Sequence, residues 1–276
     1  MLELGKKQTL TAVRKTEHGI YLADGDSKED VLLPIAQVPQ DLKKGDSIEV
    51  FVYRDSKDRI IATVNEPLIT LGEVKRLTVV STSKIGAFLD WGLEKDLLLP
   101  FKEQTRKVTQ GEECLVALYI DKSSRLCLTM NVYDYLSCDS PYQKDDQVEG
   151  VVYQISERFG AFVAVDDKFS ALIPAREVMS DIRVGRTVSA RVTDVREDGK
   201  LTLSPKKKAY LQMDEDAEYV MKVIEEFDGV LPFSDSASSE VIKREMNMSK
   251  NAFKRAVGRL YKERRIEINE KSIRKL

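Results

Sequence analysis

The sequence predicts a multidomain, mainly β protein: three small β-barrels in tandem, then an α+β winged helix-turn-helix domain. A β-rich pattern recurs three times between His18 and Ser204, with its landmarks in one order. Beyond Lys208 the apolar spacing turns helical, and the C-terminal end reads as two short strands. The chain's 276 residues suit four small domains better than one large one. The boundaries of this reading are residues 1–68, 69–143, 144–208 and 209–276.

The first copy of the repeat carries His18-Gly19-Ile20-Tyr21, Val31-Leu32-Leu33-Pro34, Lys44-Gly45-Asp46 and Arg59-Ile60-Ile61-Ala62-Thr63. The second carries Ile85-Gly86-Ala87-Phe88, Leu97-Leu98-Leu99-Pro100, Gln110-Gly111-Glu112 and Arg125-Leu126-Cys127-Leu128-Thr129. The third carries Phe159-Gly160-Ala161-Phe162, Ala171-Leu172-Ile173-Pro174, Val184-Gly185-Arg186 and Lys200-Leu201-Thr202-Leu203-Ser204. In every copy the next aligned glycine lies 11 residues after the proline, and the first glycine lies 14 or 15 before it. Units of about 65 to 75 residues suit autonomous barrels better than solenoid repeats.

Each unit reads as β. Runs such as Gln147 to Ile155, Ala161 to Val165 and Thr187 to Val192 are rich in β-branched residues with partial alternation. The glycine ahead of each ring lets a strand bend as a small closed barrel requires. The proline stops a strand, and a short helical turn fits between it and the next glycine. Asp198-Gly199 reads as a hairpin turn. Five short strands in this order predict an OB-type barrel.

In the C-terminal part, Tyr210, Met213, Ala217, Val220, Met221, Ile224 and Phe227 lie at helical spacing, and Gly229 ends that helix. Leu231-Pro232-Phe233 reads as a loop with apolar anchors. Ser234-Asp235-Ser236 offers N-caps for a second helix running to about Met246. Ser249 caps a third, from Lys250 to about Glu263, with Phe253, Val257 and Leu260 on one face. Ile266-Glu267-Ile268 and Ser272-Ile273-Arg274 complete a winged helix-turn-helix. The first helix is acidic, through Asp214, Glu215, Asp216, Glu218, Glu225 and Glu226. The third helix and hairpin are basic, through Lys250, Lys254, Arg255, Arg259, Lys262, Arg264 and Arg265.

Composition narrows the function. With 44 basic and 46 acidic residues the net charge is -2, so a globally basic surface is excluded and nucleic-acid contact must use local patches. Cys114, Cys127 and Cys138 form no CxxC pair, and His18 is the sole histidine. Neither a metal site nor a disulfide framework is expected, and no cofactor motif stands out. The start lacks a signal-peptide run and no later run has the length of a membrane span, so a soluble, cytoplasmic monomer is expected.

The Gly-Ala-Phe core, the apolar-proline strand end and the closing Leu-Thr-Leu-Ser strand resemble the S1 RNA-binding domain family. The third copy matches best. The first departs, since Tyr21 replaces phenylalanine and Ile20 follows the glycine. Pro34, Pro100 and Pro174 stand near where that family usually has a histidine. Three such units followed by a winged helix resemble the bacterial conserved virulence factor B family, whose members bind RNA and influence virulence-gene expression. The resemblance implies a post-transcriptional regulator, including of virulence genes.

On this reading the ligand is single-stranded RNA, held by rings stacked on bases and by Arg or Lys on phosphate. The residue before each glycine and the second after it form the expected pairs: His18 with Tyr21, Ile85 with Phe88, and Phe159 with Phe162. Arg158 lies beside the third pair. As the third unit alone supplies two phenylalanines, it is expected to bind best. Arg59, Arg125 and Lys200 occupy one basic position; the resemblance places Asp55 and Asp121 beside the aromatic face with Arg59 and Arg125. In the third copy Arg196 stands where the acid would be, which is expected to strengthen backbone attraction.

Several alternatives stand beside these readings. Each ring could instead be barrel core, and the Asp–Arg spacings could be ordinary hairpin ion pairs. Trp91 reads as core or interdomain packing. The Lys206-Lys207-Lys208 run reads as a linker or as an extension of the backbone grip. In the winged helix, Lys250, Lys254, Arg255, Arg259 and Arg265 are the candidate contacts of a recognition helix, or the solvated face of a protein-interaction module. With no His pair and no Walker A loop, no catalytic site is expected. The alternative functions are a DNA-binding transcription regulator acting through the winged helix and an accessory subunit of an RNA-processing enzyme.

Overall fold

The computed structural model describes residues 2–25, 29–206 and 209–276, with side chains in the first helix described from Glu215 onward. Lys207 and Lys208 of the basic run, and the side chains of Tyr210, Met213 and Asp214, lie outside the described residues. The chain forms two compact units, Met1–Pro205 and Lys206–Leu276.

The first unit holds three five-stranded barrels. The first is built from β1 (Lys7–Thr16), β2 (Gly19–Ala23), β3 (Asp30–Pro34), β4 (Ser47–Arg54) and β5 (Ile60–Thr63), closed in the order β1-β2-β3-β5-β4. The second comprises β6 (Val74–Thr82), β7 (Gly86–Leu89), β8 (Leu97–Pro100), β9 (Glu113–Ile120) and β10 (Leu126–Thr129), in the order β10-β9-β6-β7-β8. Here β8 and β10 run side by side without a ladder between them. The third, from β11 (Gln147–Ser156), β12 (Gly160–Val165), β13 (Phe169–Pro174), β14 (Thr187–Val195) and β15 (Leu201–Ser204), is closed like the first.

The repeated landmarks are backbone requirements of this barrel. Each first glycine pairs across the sheet with the proline of its copy: Gly19 with Pro34, Gly86 with Pro100, Gly160 with Pro174. The three glycines have φ of +146°, +152° and +117°. A Cβ at Gly160 would stand 2.0 Å from the Ile173 carbonyl oxygen, so no larger residue fits. Each second glycine donates its N–H to the bulge of the long first strand: Gly45 to Ala12, Gly111 to Val79, Gly185 to Val152. That bulge bends the strand so that it pairs with two neighbours and closes the barrel. The turn after each proline places Gln37, Glu103 or Glu177 to accept from the buried hydroxyl of Thr63, Thr129 or Ser204. Buried hydroxyls need such partners, which accounts for the Thr or Ser that ends each copy.

Gly160→Ala is therefore expected to destabilise the protein by roughly 3 kcal/mol or more, through overpacking and backbone strain together. Gly45→Ala, at φ +94° with open space around it, should cost only about 1–2 kcal/mol. Urea unfolding followed by far-UV circular dichroism measures the difference; equal costs would refute the assignment of the first glycine to a steric role.

The barrels of this unit share apolar surface. Phe51 and Tyr53 of β4 join Trp91, Leu89 and Leu118 in the core of the second barrel. Leu115 and Ala117 of the second barrel and Val132 and Leu136 of the segment after it pack with Val151, Tyr153 and Ala164 of the third.

The second unit comprises α1 (Ala209–Glu226), β16 (Val230–Leu231), α2 (Ser239–Met246), α3 (Lys250–Lys262), β17 (Ile266–Ile268) and β18 (Ile273–Lys275), with a sheet ordered β16-β18-β17. Ile224, Ile242, Phe253, Val257, Leu260 and Ile273 are buried in its core. Ser249 caps α3 by accepting from the Ala252 N–H at 3.2 Å. Two local expectations are corrected. Leu231 lies in a strand rather than a loop, because Val230 and Leu231 pair with Arg274 and Ile273. Ser238, not the Ser234-Asp235-Ser236 group, caps α2. The Ser234 hydroxyl is buried and already bonded to the Glu270 carbonyl at 3.0 Å, so it holds the preceding turn instead.

Candidate nucleic-acid interface

In the first barrel the two expected contacts differ. The His18 side chain is 75% exposed, with Glu17 at 3.5 Å. Tyr21 is half-buried, and the Arg14 guanidinium lies 3.5 Å from its ring centroid, held there by Asp30 at 3.1 Å. One face of that ring is therefore already occupied. Arg59 is bound by Asp55 through Nε at 2.9 Å and Nη2 at 2.6 Å. Burial alone would raise the Asp55 carboxyl, but the Arg59 side chain and the backbone N–H groups of Arg59 and Lys57 outweigh it and leave the acid below its ordinary value. In this copy the Asp–Arg spacing forms a hairpin ion pair.

The second barrel departs from that pattern. The Asp121 carboxylate accepts from the Arg125 backbone N–H at 3.0 Å, yet the Arg125 guanidinium reaches Asp58 of the first barrel at 3.2 Å. Arg54 completes the clasp, donating to the carbonyls of Asp58 at 2.7 Å and Ser124 at 2.9 Å. Beneath it lies a cleft of about 360 Å³, bounded by the β4–β5 turn on one side and by β8 and β10 on the other. The half-buried Phe88 ring and Leu98 line it, and Arg54, Lys95 and Arg125 reach it from both barrels. Asp58 and Asp96 are its acids. Ile85 lines it too and is 59% exposed. Cys127 is also at the cleft, its thiol pushed up to about 11 by burial, and so it is neutral at ordinary pH.

In the third barrel Phe159 is 53% exposed, with the Arg158 guanidinium 5.1 Å from its ring centroid. Phe162 is half-buried and packs elsewhere: edge-on to Tyr133 at 6.0 Å and against Tyr153 at 6.1 Å. It thereby takes part in the junction between the second and third barrels. Lys200 stands 5.4 Å from the Tyr133 ring centroid and 3.3 Å from Asp198. Arg196 meets the same Asp198 at 3.5 Å. The Asp198 carboxylate, two residues after Arg196, thus faces both cations of this hairpin.

Tyr133 is the residue that sequence reasoning missed. It is 43% exposed, shares a surface with Phe162 and Lys200, and comes from the short turn Tyr133–Tyr135 between barrels. Because it lies outside the repeat, no counterpart in the other copies marked it. The Tyr-Asp-Tyr run was its one local signal. Arg54 and Lys95 were missed for the same reason: they act on the neighbouring copy or from a loop that the landmarks skip.

In the winged helix the five candidates separate. Arg259 meets Glu263 at 2.9 Å, and Arg265 is bound by Glu218 and lies 3.6 Å from Glu263. The Glu218 carboxyl is held below its usual value, chiefly by that arginine. Lys250 bonds the Ser236 carbonyl at 3.4 Å. Lys254 and Arg255 are exposed and make no ion pair among the described residues. Part of the acid-base asymmetry between α1 and the basic elements therefore pairs within the domain, as Lys275 with Glu225 also shows. Among the described residues no cluster of His, Cys, Asp and Glu could hold a metal ion, and no helix is long and apolar enough to cross a membrane.

Small five-stranded barrels with exposed rings and a cleft holding three cations against two acids, joined to a winged helix, define a multidomain nucleic-acid-binding protein. Family models agree: residues 4–65 and 71–131 match an S1 domain, 142–206 an S1 RNA binding domain, and 218–274 a CvfB-like winged helix domain. Conserved virulence factor B of Staphylococcus saprophyticus is 32% identical over 268 residues, covering 93% of this chain and 89% of that protein. The uncharacterized protein YitL of Bacillus subtilis is 30% identical over 269 residues, covering 94% and 89%. A crystal structure of a multidomain protein with nucleic acid binding domains from Streptococcus pneumoniae TIGR4 shares the fold, with a TM-score of 0.51 and 22% identity over 99% of this chain and 98% of that one. The chain belongs to the conserved virulence factor B family.

Proposed function

We propose that this protein is a non-catalytic, cytoplasmic RNA-binding regulator that acts after transcription, as a monomer, by occupying single-stranded RNA. The observation that carries this reading is the cleft between the first two barrels, where the Phe88 ring stands among Arg54, Lys95 and Arg125. A ring offers a stacking surface to any unpaired base, and the cations meet the backbone on either side. The joined barrels add contacts along one strand at high effective concentration. Phe159 with Arg158, and Tyr133 with Lys200, are the further contacts in the third barrel; Tyr21 and Arg59 contribute less, because Arg14 covers one face of the Tyr21 ring and Asp55 holds the Arg59 guanidinium through two bonds, and His18 supplies a contact of its own beside them. This ranking places the second barrel ahead of the third, since the third barrel's Phe162 is engaged in packing.

The test is competition: labelled single-stranded RNA bound to the full chain is challenged with excess duplex DNA and with excess unlabelled strand. Displacement by the strand alone supports the reading; displacement by duplex at equal or lower concentration refutes it. A salt titration then counts the phosphates engaged.

A second reading, duplex DNA binding through the winged helix, is favoured by Lys254 and Arg255 alone. If α3 touches nucleic acid, Lys254→Glu with Arg255→Glu lowers the salt slope of binding by about two contacts and weakens binding uniformly across sequences. An unchanged slope would assign α3 to protein contact.

A further inference from the structure

All three cations of the cleft between the first two barrels reach across the barrel boundary. Arg54 donates to the Ser124 carbonyl at 2.9 Å, Lys95 to the Asp55 carbonyl at 3.4 Å, and Arg125 to the Asp58 carboxylate at 3.2 Å. Of these three acceptors only the Asp58 carboxylate is charged. Its place in the chain recurs: Asp58, Ser124 and Gly199 each precede the basic residue of their hairpin, with φ of +65°, +58° and +78°. The first copy alone puts an acid there. That acid changes what Arg125 does. In the first barrel Asp55 binds the guanidinium of its own hairpin's Arg59. Its counterpart Asp121 accepts only from the backbone N–H groups of Ser123 and Arg125, while the Arg125 side chain turns to Asp58, 67 residues earlier.

We infer that Asp58 is an autoinhibitory acid: its carboxylate holds Arg125 in place of an RNA phosphate, and a strand enters the cleft by displacing it. This rests on the reading of the cleft as a single-strand site. Carboxylate and phosphate are both charged acceptors for the fork of a guanidinium, so they compete for it. The carbonyls bound by Arg54 and Lys95 carry no net charge and yield to a phosphate more readily. The pair is also open to exchange. The Asp58 side chain is 45% exposed and that of Arg125 60%, and an exposed ion pair contributes little stability. Arg54 keeps the two hairpin turns together meanwhile, through the carbonyls of Asp58 and Ser124. The acid selects among ligands as well. A lone anion that replaces one carboxylate at Arg125 gains almost nothing, whereas a strand that also meets Phe88, Arg54 and Lys95 gains more than it gives up.

A double-mutant cycle on the full chain tests this, read by fluorescence anisotropy of an eight-nucleotide oligo(U). Asp58→Asn removes the charge and keeps the shape, and asparagine, like aspartate, tolerates positive φ. With Arg125 present the change should tighten binding by about threefold, the scale of an exposed ion pair. In an Arg125→Gln background it should tighten binding by less than about 1.5-fold, because no guanidinium is left to release. Loss of a negative charge also acts on any polyanion at a distance, but that general effect would be the same in both backgrounds. Equal gains in the two backgrounds, or no gain with Arg125 present, would overturn the inference while leaving strand binding intact. If Asp58→Asn fails to fold, Asp58→Ser repeats the cycle with the side chain that Ser124 carries at the matching position. A wild-type chain that binds no oligo(U) at low salt would overturn the reading of the cleft as a single-strand site, and the inference with it.

Discussion

Phe88→Ala is expected to weaken binding of a single-stranded RNA octamer by about tenfold, within the roughly 1–3 kcal/mol that one ring-on-base stack contributes. The ring is half-buried beside three cations, and no ring or cation-π partner covers it among the described residues. Because phenylalanine is uncharged, the salt dependence of binding should not change, which separates a stacking loss from a lost phosphate contact. Phe162→Ala makes a useful contrast. Its ring packs against Tyr133 and Tyr153, so its removal should lower stability as well as affinity. Anisotropy titrations at two salt concentrations, with urea midpoints for both variants, give the comparison. An unchanged dissociation constant for Phe88→Ala would remove the second barrel from the interface.

Trp91→Ala should cost about 3–5 kcal/mol of stability, the range for truncating a buried aromatic. Trp91 is 1% exposed, and its Nε1–H donates to the Lys95 carbonyl at 2.6 Å. Its ring meets Phe51 at 5.6 Å and Tyr53 at 5.9 Å, both edge-on, and those residues belong to the first barrel. The loss should therefore uncouple the first two barrels as well as hollow the second, so that urea unfolding splits into separate steps. Trp91→Phe retains most of the packing and should recover much of the loss, apart from the indole hydrogen bond. Circular dichroism is the appropriate probe, since Trp91 is the sole tryptophan. A cost below about 1 kcal/mol would contradict a shared core.

These two aromatics show where sequence reasoning reached and where it stopped. Trp91 was read as core or interdomain packing, and it is both at once. Phe88 and Phe162 occupy the same position in the repeat, and nothing local distinguishes them. The structure does so through residues of other segments: Tyr133 and Tyr153 close on Phe162, whereas Arg54 and Asp58 of the preceding barrel stand at the cleft beside Phe88. Tyr21 loses one face to Arg14. In the winged helix, helical period and the Ser249 cap were legible, but the pairing of Arg265 with Glu218 joins residues far apart in sequence.

The chain alone settled the barrel count, the strand order within each copy and the winged helix, because those depend on local demands. A glycine must take positive φ beside a carbonyl, a proline must end a strand, and apolar residues must recur at the period of the element they bury. Folding in three dimensions decided which rings stay open and which are packed over. Those outcomes turn on side chains brought together from different copies, and exposure leaves no mark within a single copy's sequence.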